Sequence, residues 1–180
     1  LISKDTVCVD VTVDECMHVE IEKTHNALQG QHETVNVFLN GTGKPLGGFS
    51  FLIAYDASSL TAMGVTPGPL FEQCGWEYFT YRFGADGNCN GACPSGLIRI
   101  VGMAETNNGA YHPGCYFDGL VGSMAEIDFL VSNDRTLECM YAPVQFFWLE
   151  CTDNALSSLA GDTLWISRRV YNFEHQEITD

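Results

Sequence analysis

Residues 47–60, GGFSFLIAYDASSL, constrain the fold of this chain more than any other stretch. Phe49, Phe51, Ile53 and Tyr55 alternate with Gly48, Ser50, Leu52 and Ala54. A period of two sends successive side chains to opposite faces of a strand. The bulky set fits a core, and the small set lets another element approach closely. Asp56-Ala57-Ser58-Ser59 follows, and Asp and Ser side chains bond their own backbone in turns. An apolar run over 60–65 resumes before Pro67-Gly68-Pro69 stops it. The stretch predicts a buried strand, a corner and a second strand, and it carries no catalytic motif.

The same alternation recurs along the chain. Val7, Val9, Val11 and Val13 alternate with Cys8, Asp10, Thr12 and Asp14, a one-sided strand. Further strands are expected at 18–22, over Val35, Val37 and Leu39, at 76–83, 97–105, 123–131, 144–150 and 163–167, with a last edge over Val170, Tyr171 and Phe173. In 76–83, WEYFTYRF, one face would carry Trp76 and Tyr78 and the other Phe79, Tyr81 and Phe83. No amphipathic helix longer than about three turns is evident, and there is no internal repeat. Short strands punctuated by glycine indicate an all-β fold. At 180 residues, a single domain over 1–180 is expected, with residues 1–16 as an added N-terminal strand and 174–180 as an acidic tail or linker.

Two long loops break the strands. Residues 84–96 contain Asp86-x-Asn88-x-Asn90-Gly91, the first half of an EF-hand-type calcium loop, in which alternating oxygen ligands and a glycine bend suit a hard cation. Its twelfth position is Leu97 where a bidentate glutamate belongs, so a disulfide-pinned turn is the better reading and calcium the alternative. Residues 106–119 carry His112 and Cys115, two residues where a metal site needs more. Asn40-Gly41-Thr42 fits both a hairpin turn and an N-glycosylation acceptor.

Cys8, Cys16, Cys74, Cys89, Cys93, Cys115, Cys139 and Cys151 are even in number and have no zinc-ribbon spacing. Disulfides and an oxidising, extracellular or cell-surface location follow. Cys8–Cys16, Cys89–Cys93 and Cys139–Cys151 are plausible local pairs, but spacing does not fix connectivity. The net charge is −15, from 8 basic and 23 acidic residues, which argues against nucleic acid and against docking on anionic lipid. No apolar run approaches the roughly 18 residues that span a membrane. The start lacks an initiator methionine and a signal peptide, as expected of a processed chain or a module of something longer.

In order, these pieces resemble the cohesin-type module of bacterial and archaeal surface proteins. The family pattern is an F-x-Y-D-x-x-x-L-like strand end, then an apolar strand and a Pro-Gly corner. Phe51 to Leu60, Val65 and Pro67-Gly68 sit where it puts them. LIRIVGMAE, ending in Ala104-Glu105, and residues 122–131 resemble two later strands, and the likeness covers about 19–167. The resemblance implies a jelly-roll β-sandwich of about nine strands, an architecture shared with carbohydrate-binding relatives, and a role in binding a protein partner. The family's dockerin binders commonly carry Asn and Asp on the outward face of the Tyr-Asp strand, whereas this chain has Gly48, Ser50, Leu52 and Ala54 there.

The leading expectation is thus a non-catalytic extracellular binding or adhesion module. A filament or surface-layer subunit is the first alternative, with Val7, Val9, Val11 and Val13 pairing onto a neighbouring copy. A carbohydrate-binding module is the second, with Trp76, Tyr78, Tyr111 and Tyr116 as stacking candidates. Glu72, Glu77, Glu105 and Asp128 could form the carboxylate pair of a glycosidase, but no hydrolase or phosphate-binding motif accompanies them.

Overall fold

The structure is a computed structural model and describes residues 17–40, 44–83, 96–106, 109–150, 153–165, 170–171 and 177–178. The chain folds as a jelly-roll sandwich of two antiparallel sheets. The four-stranded sheet has the order β1-β2-β7-β4, with β1 at His18–Ile21, β2 at His32–Asn40, β4 at Leu60–Pro67 and β7 at Val121–Val131. The six-stranded sheet runs β10-β9-β3-β6-β5, formed by Thr163–Trp165, Ala155–Ser158, Leu46–Tyr55, Leu97–Met103 and Tyr78–Phe83. Its remaining strand, β8 (Val144–Phe146), pairs with β3 beyond the end of β9. Counting β8 and β9 as one interrupted partner of β3 gives nine strand positions, the expected number. The last pieces, β11 (Val170–Tyr171) and β12 (Glu177–Ile178), pair with each other, where the sequence suggested an edge and a tail.

Alternation fixes which side of each sheet is inside. Phe49, Phe51 and Ile53 of β3 meet Val35, Val37 and Leu39 of β2 and Ala125, Ile127 and Phe129 of β7 in one core. The Tyr55 and Phe129 rings, 5.2 Å apart, join the two sheets directly. Gly102 of β6 faces this core because a Cβ there would lie 2.6 Å from the Phe49 ring and 2.7 Å from that of Phe71.

The Pro67-Gly68-Pro69 corner starts a short helix, α1 (Pro69–Cys74), with proline in its first turn and left-handed Gly75 (φ 67°) ending it. Gly68 is required because a Cβ would collide with the Ser123 carbonyl. α1 buries Leu70, Phe71 and Cys74. Cys74 is bonded to Cys115, closing a separation of 41 residues that none of the local pairings anticipated. Around the bond, Trp76 stacks on Phe117 with ring centroids 3.8 Å apart, and its Nε1–H donates to the Cys115 carbonyl at 3.2 Å. The 106–119 loop is thereby tied to α1.

Candidate protein-binding face

The outward side of the six-stranded sheet is set by register. Tyr78, Thr80 and Arg82 of β5 stand opposite Met103, Val101 and Arg99 of β6. These in turn stand opposite Gly48, Ser50 and Leu52 of β3. Two large apolar side chains are left in solvent, Tyr78 at 43% and Met103 at 41% exposure, and Val101, next on this face of β6 and opposite Thr80, is half-buried. No strand position on the outward side of β3, β5, β6 or β9 is acidic.

Half of this side is covered from within. Arg99 Nη2 donates to Asp153 Oδ1 at 2.6 Å, and Asp153 Oδ2 accepts from the Leu149 and Glu150 N–H groups at 2.9 Å each. Burial alone would raise the Asp153 carboxyl, but the hydrogen bonds from Glu150, Arg99 and Leu149 hold it below the usual carboxylate range. Next to it, Asn154 adopts the left-handed conformation (φ 58°), which Asn tolerates well. Its Oδ1 accepts from the Leu52 N–H at 2.8 Å and its Nδ2 donates to the Phe147 carbonyl at 2.7 Å. One side chain thus bridges the gap between β8 and β9 along β3. Leu52, expected on an open face of small residues, has no exposed surface. Gly48 and Ser50 pair with Ser157 and Ala155 of β9 and Ala54 with Gln145 of β8, while Phe147 and Asn154 of the same chain close over Leu52 between them. Spacing gave no sign of Arg99, Asp153 or Asn154, because they meet across the fold.

At one end of the face, Glu77 Oε2 accepts from the Thr106 N–H at 2.9 Å and from its hydroxyl at 2.8 Å. The Thr106 backbone bond first, then the hydroxyl, hold the Glu77 carboxyl down, with His112 adding attraction. Glu105 pairs with His112 at 2.9 Å. A shallow polar depression of about 410 Å³ lies beside them, between Gly47, Glu105, Thr106 and Ser157–Leu159. His112 and Cys115, too few for a metal site by sequence, are separated in role as well, because the Cys115 sulfur is committed to the disulfide and His112 faces Glu105. Among the described residues no group of three His, Cys, Asp or Glu side chains is placed to hold a metal.

Trp76 is likewise corrected as a stacking residue. The strand begins at Tyr78, and the turn at Gly75 sends the indole into the core at 8% exposure. Tyr116 is half-buried against the core, Tyr111 is 87% exposed in its loop, and Tyr78 is on the sheet face. The four rings therefore make no common platform. Of the carboxylates, Glu72 is on α1, Glu77 and Glu105 flank β5 and β6, and Asp128 is on the outer face of the other sheet. Asn40 is exposed at the end of β2, and residues 41–43 of its acceptor pattern lie outside the described residues. Asp86, Asn88 and Asn90, Cys8, Cys16, Cys89, Cys93 and Cys151, and Val7, Val9, Val11 and Val13 also lie outside them. Cys139 is exposed. No described helix is long and apolar enough to cross a membrane.

No family model matches the chain, and no curated protein matches it significantly. Solved structures do match. A chain of the Coh-OlpA–Doc918 complex, a type I cohesin–dockerin complex from Clostridium thermocellum, is 18% identical with a TM-score of 0.60, over 82% of this chain and 90% of that one. The sixth cohesin of Acetivibrio cellulolyticus scaffoldin B, solved with a Cel5 dockerin, is 14% identical at a TM-score of 0.58, over 84% and 92%. CaCohA2 from Clostridium acetobutylicum is 16% identical at 0.57, over 82% and 83%. The likeness is one of fold: this chain has the cohesin fold, as the F-x-Y-D pattern implied.

Proposed function

We propose that this chain is a non-catalytic, extracellular protein-binding module that engages a folded partner, a dockerin-type module first among the candidates, through the outward side of β5 and β6. The observation that carries the reading is the exposed Tyr78–Met103 pair, directly opposite in register on a flat strand surface. Aromatic and Met side chains are enriched in protein interfaces, and a patch rimmed by polar groups marks an interaction site more often than a stability feature. The fold shared with cohesins solved in dockerin complexes supports a protein partner over a small ligand. Among the described residues, the carboxylates are scattered and the depression beside Glu105 is shallow and polar. The Cys74–Cys115 bond supports an oxidising compartment.

Calorimetric titration of the oxidised chain with a panel of purified dockerin modules, with and without calcium, tests the proposal. At least one module is expected to bind with a Kd of about 1 μM or tighter. Met103→Asp should weaken it about tenfold or more, since a charge replaces an apolar anchor. No binding by any module, or unchanged binding to Met103→Asp, would remove this reading.

A further inference from the structure

We propose that the partner of this face is an acidic protein surface: an apolar contact over Tyr78, Val101 and Met103, bordered by carboxylates, at least one of which pairs with Arg82. This deepens the binding reading above and rests on it. The chain carries 23 acidic and 8 basic residues, yet the outward strand positions of β3, β5, β6 and β9 hold two arginines and no acid. Arg82 and Arg99 stand directly opposite each other. Like charges placed so destabilise a sheet. Asp153 neutralises Arg99, but no hydrogen bond or ion pair is found for exposed Arg82 among the described residues. Among the described residues, Arg82 is thus an exposed guanidinium with no carboxylate to pair with.

A partner can supply that carboxylate. Guanidinium is planar, weakly hydrated and forms two parallel bonds to one carboxylate, the chemistry favoured where an ion pair is desolvated at an interface. On the same face as Tyr78 and Met103, with the Thr80–Val101 pair between, it selects a surface that offers acid around an apolar centre and repels a basic one. A basic partner would be drawn instead to the other sheet, whose outward side carries Glu20, Glu22, Glu126 and Asp128. A second copy could offer that acidic side, but two chains of −15 repel each other as wholes, so a different protein is favoured.

Panning a random-peptide display library on the oxidised chain, with the Arg82→Glu chain as parallel target, tests this without any dockerin. Peptides selective for the unaltered chain should pair Asp or Glu with aromatic or aliphatic residues. They should bind Arg82→Glu about tenfold or more weakly, and bind the unaltered chain less well as salt rises from about 50 to about 500 mM. Selective peptides that are neutral or basic would overturn the proposal, as would equal binding to both chains or dimers of the chain alone that Arg82→Glu dissolves. Acidic, Arg82-dependent peptides with no dockerin bound would keep the acidic preference and remove the dockerin reading. A dockerin bound with equal affinity by both chains would do the reverse.

Discussion

The two outward sides of the sandwich are built on opposite plans. On the four-stranded sheet, two of the acids, Asp128 and Glu22, have partners within the chain. His32 Nδ1 lies 3.0 Å from both Asp128 oxygens, and Glu22 accepts from the Asn36 side chain at 2.7 Å. Thr34 and Thr66 fill positions between them. That side is finished by itself and by water. On the six-stranded sheet, the part-buried Arg99–Asp153 pair and Asn154 hold residues 147–150 and 153–154 in place, and among the described residues the uncovered part carries Tyr78, Met103 and the exposed Arg82 with no acid. The difference teaches where the charge of this chain does its work. A net charge of −15 makes copies of the chain repel one another as wholes, while the outward strand positions of β3, β5, β6 and β9 are free of acid.

The sharpest way to break the contrast is to release the covering segment. Asn154→Ala would leave the buried Leu52 N–H and the Phe147 carbonyl without a partner, costing about 2–4 kcal/mol in denaturant unfolding. Asp153→Asn keeps one acceptor oxygen but loses the charge, and should cost about 1–3 kcal/mol. Because the folded Asp153 carboxyl is held low, its contribution is fully present above the ordinary carboxylate range and fades as pH falls through the lower folded value. Unfolding profiles below about pH 4 should therefore be flatter for Asp153→Asn than for the unaltered chain. On the uncovered half, Tyr78→Ser should weaken a bound partner about tenfold while stability moves by less than about 0.5 kcal/mol. Least of all, Asp128→Asn should cost under about 1 kcal/mol and leave partner affinity unchanged, because the His32–Asp128 pair is exposed.

Much of the sandwich was legible because period-two alternation reports burial directly. Phe49, Phe51 and Ile53 are buried where the pattern put them, as are Val35, Val37 and Leu39. Short elements escaped for want of length. α1 is six residues and β9 four, too few to show a period. Alternation also misled at Trp76, because it passes smoothly across a turn whose left-handed Gly75 rotates the ring inward. The proposed binding face was legible only in part. Its small residues on β3 were visible, but the contacts that close over Leu52 and hold Arg99, Arg99–Asp153 and Asn154–Leu52, are separated by 54 and 102 residues. A disulfide spanning 41 residues is hidden for the same reason, since spacing favours local pairs.

The most direct measurement uses methionine methyl groups as reporters of the two sides. Met103 lies on the six-stranded face and Met63 at the bulge of β4 in the other sheet, at 41% and 48% exposure. The chain, labelled with ¹³C-methyl methionine, would be titrated by NMR with the dockerin panel. If the uncovered half of the six-stranded sheet is the binding face, a bound module shifts or broadens the Met103 methyl and leaves Met63 in place. Movement of Met63 with Met103 unmoved, or no module that perturbs Met103, would contradict it.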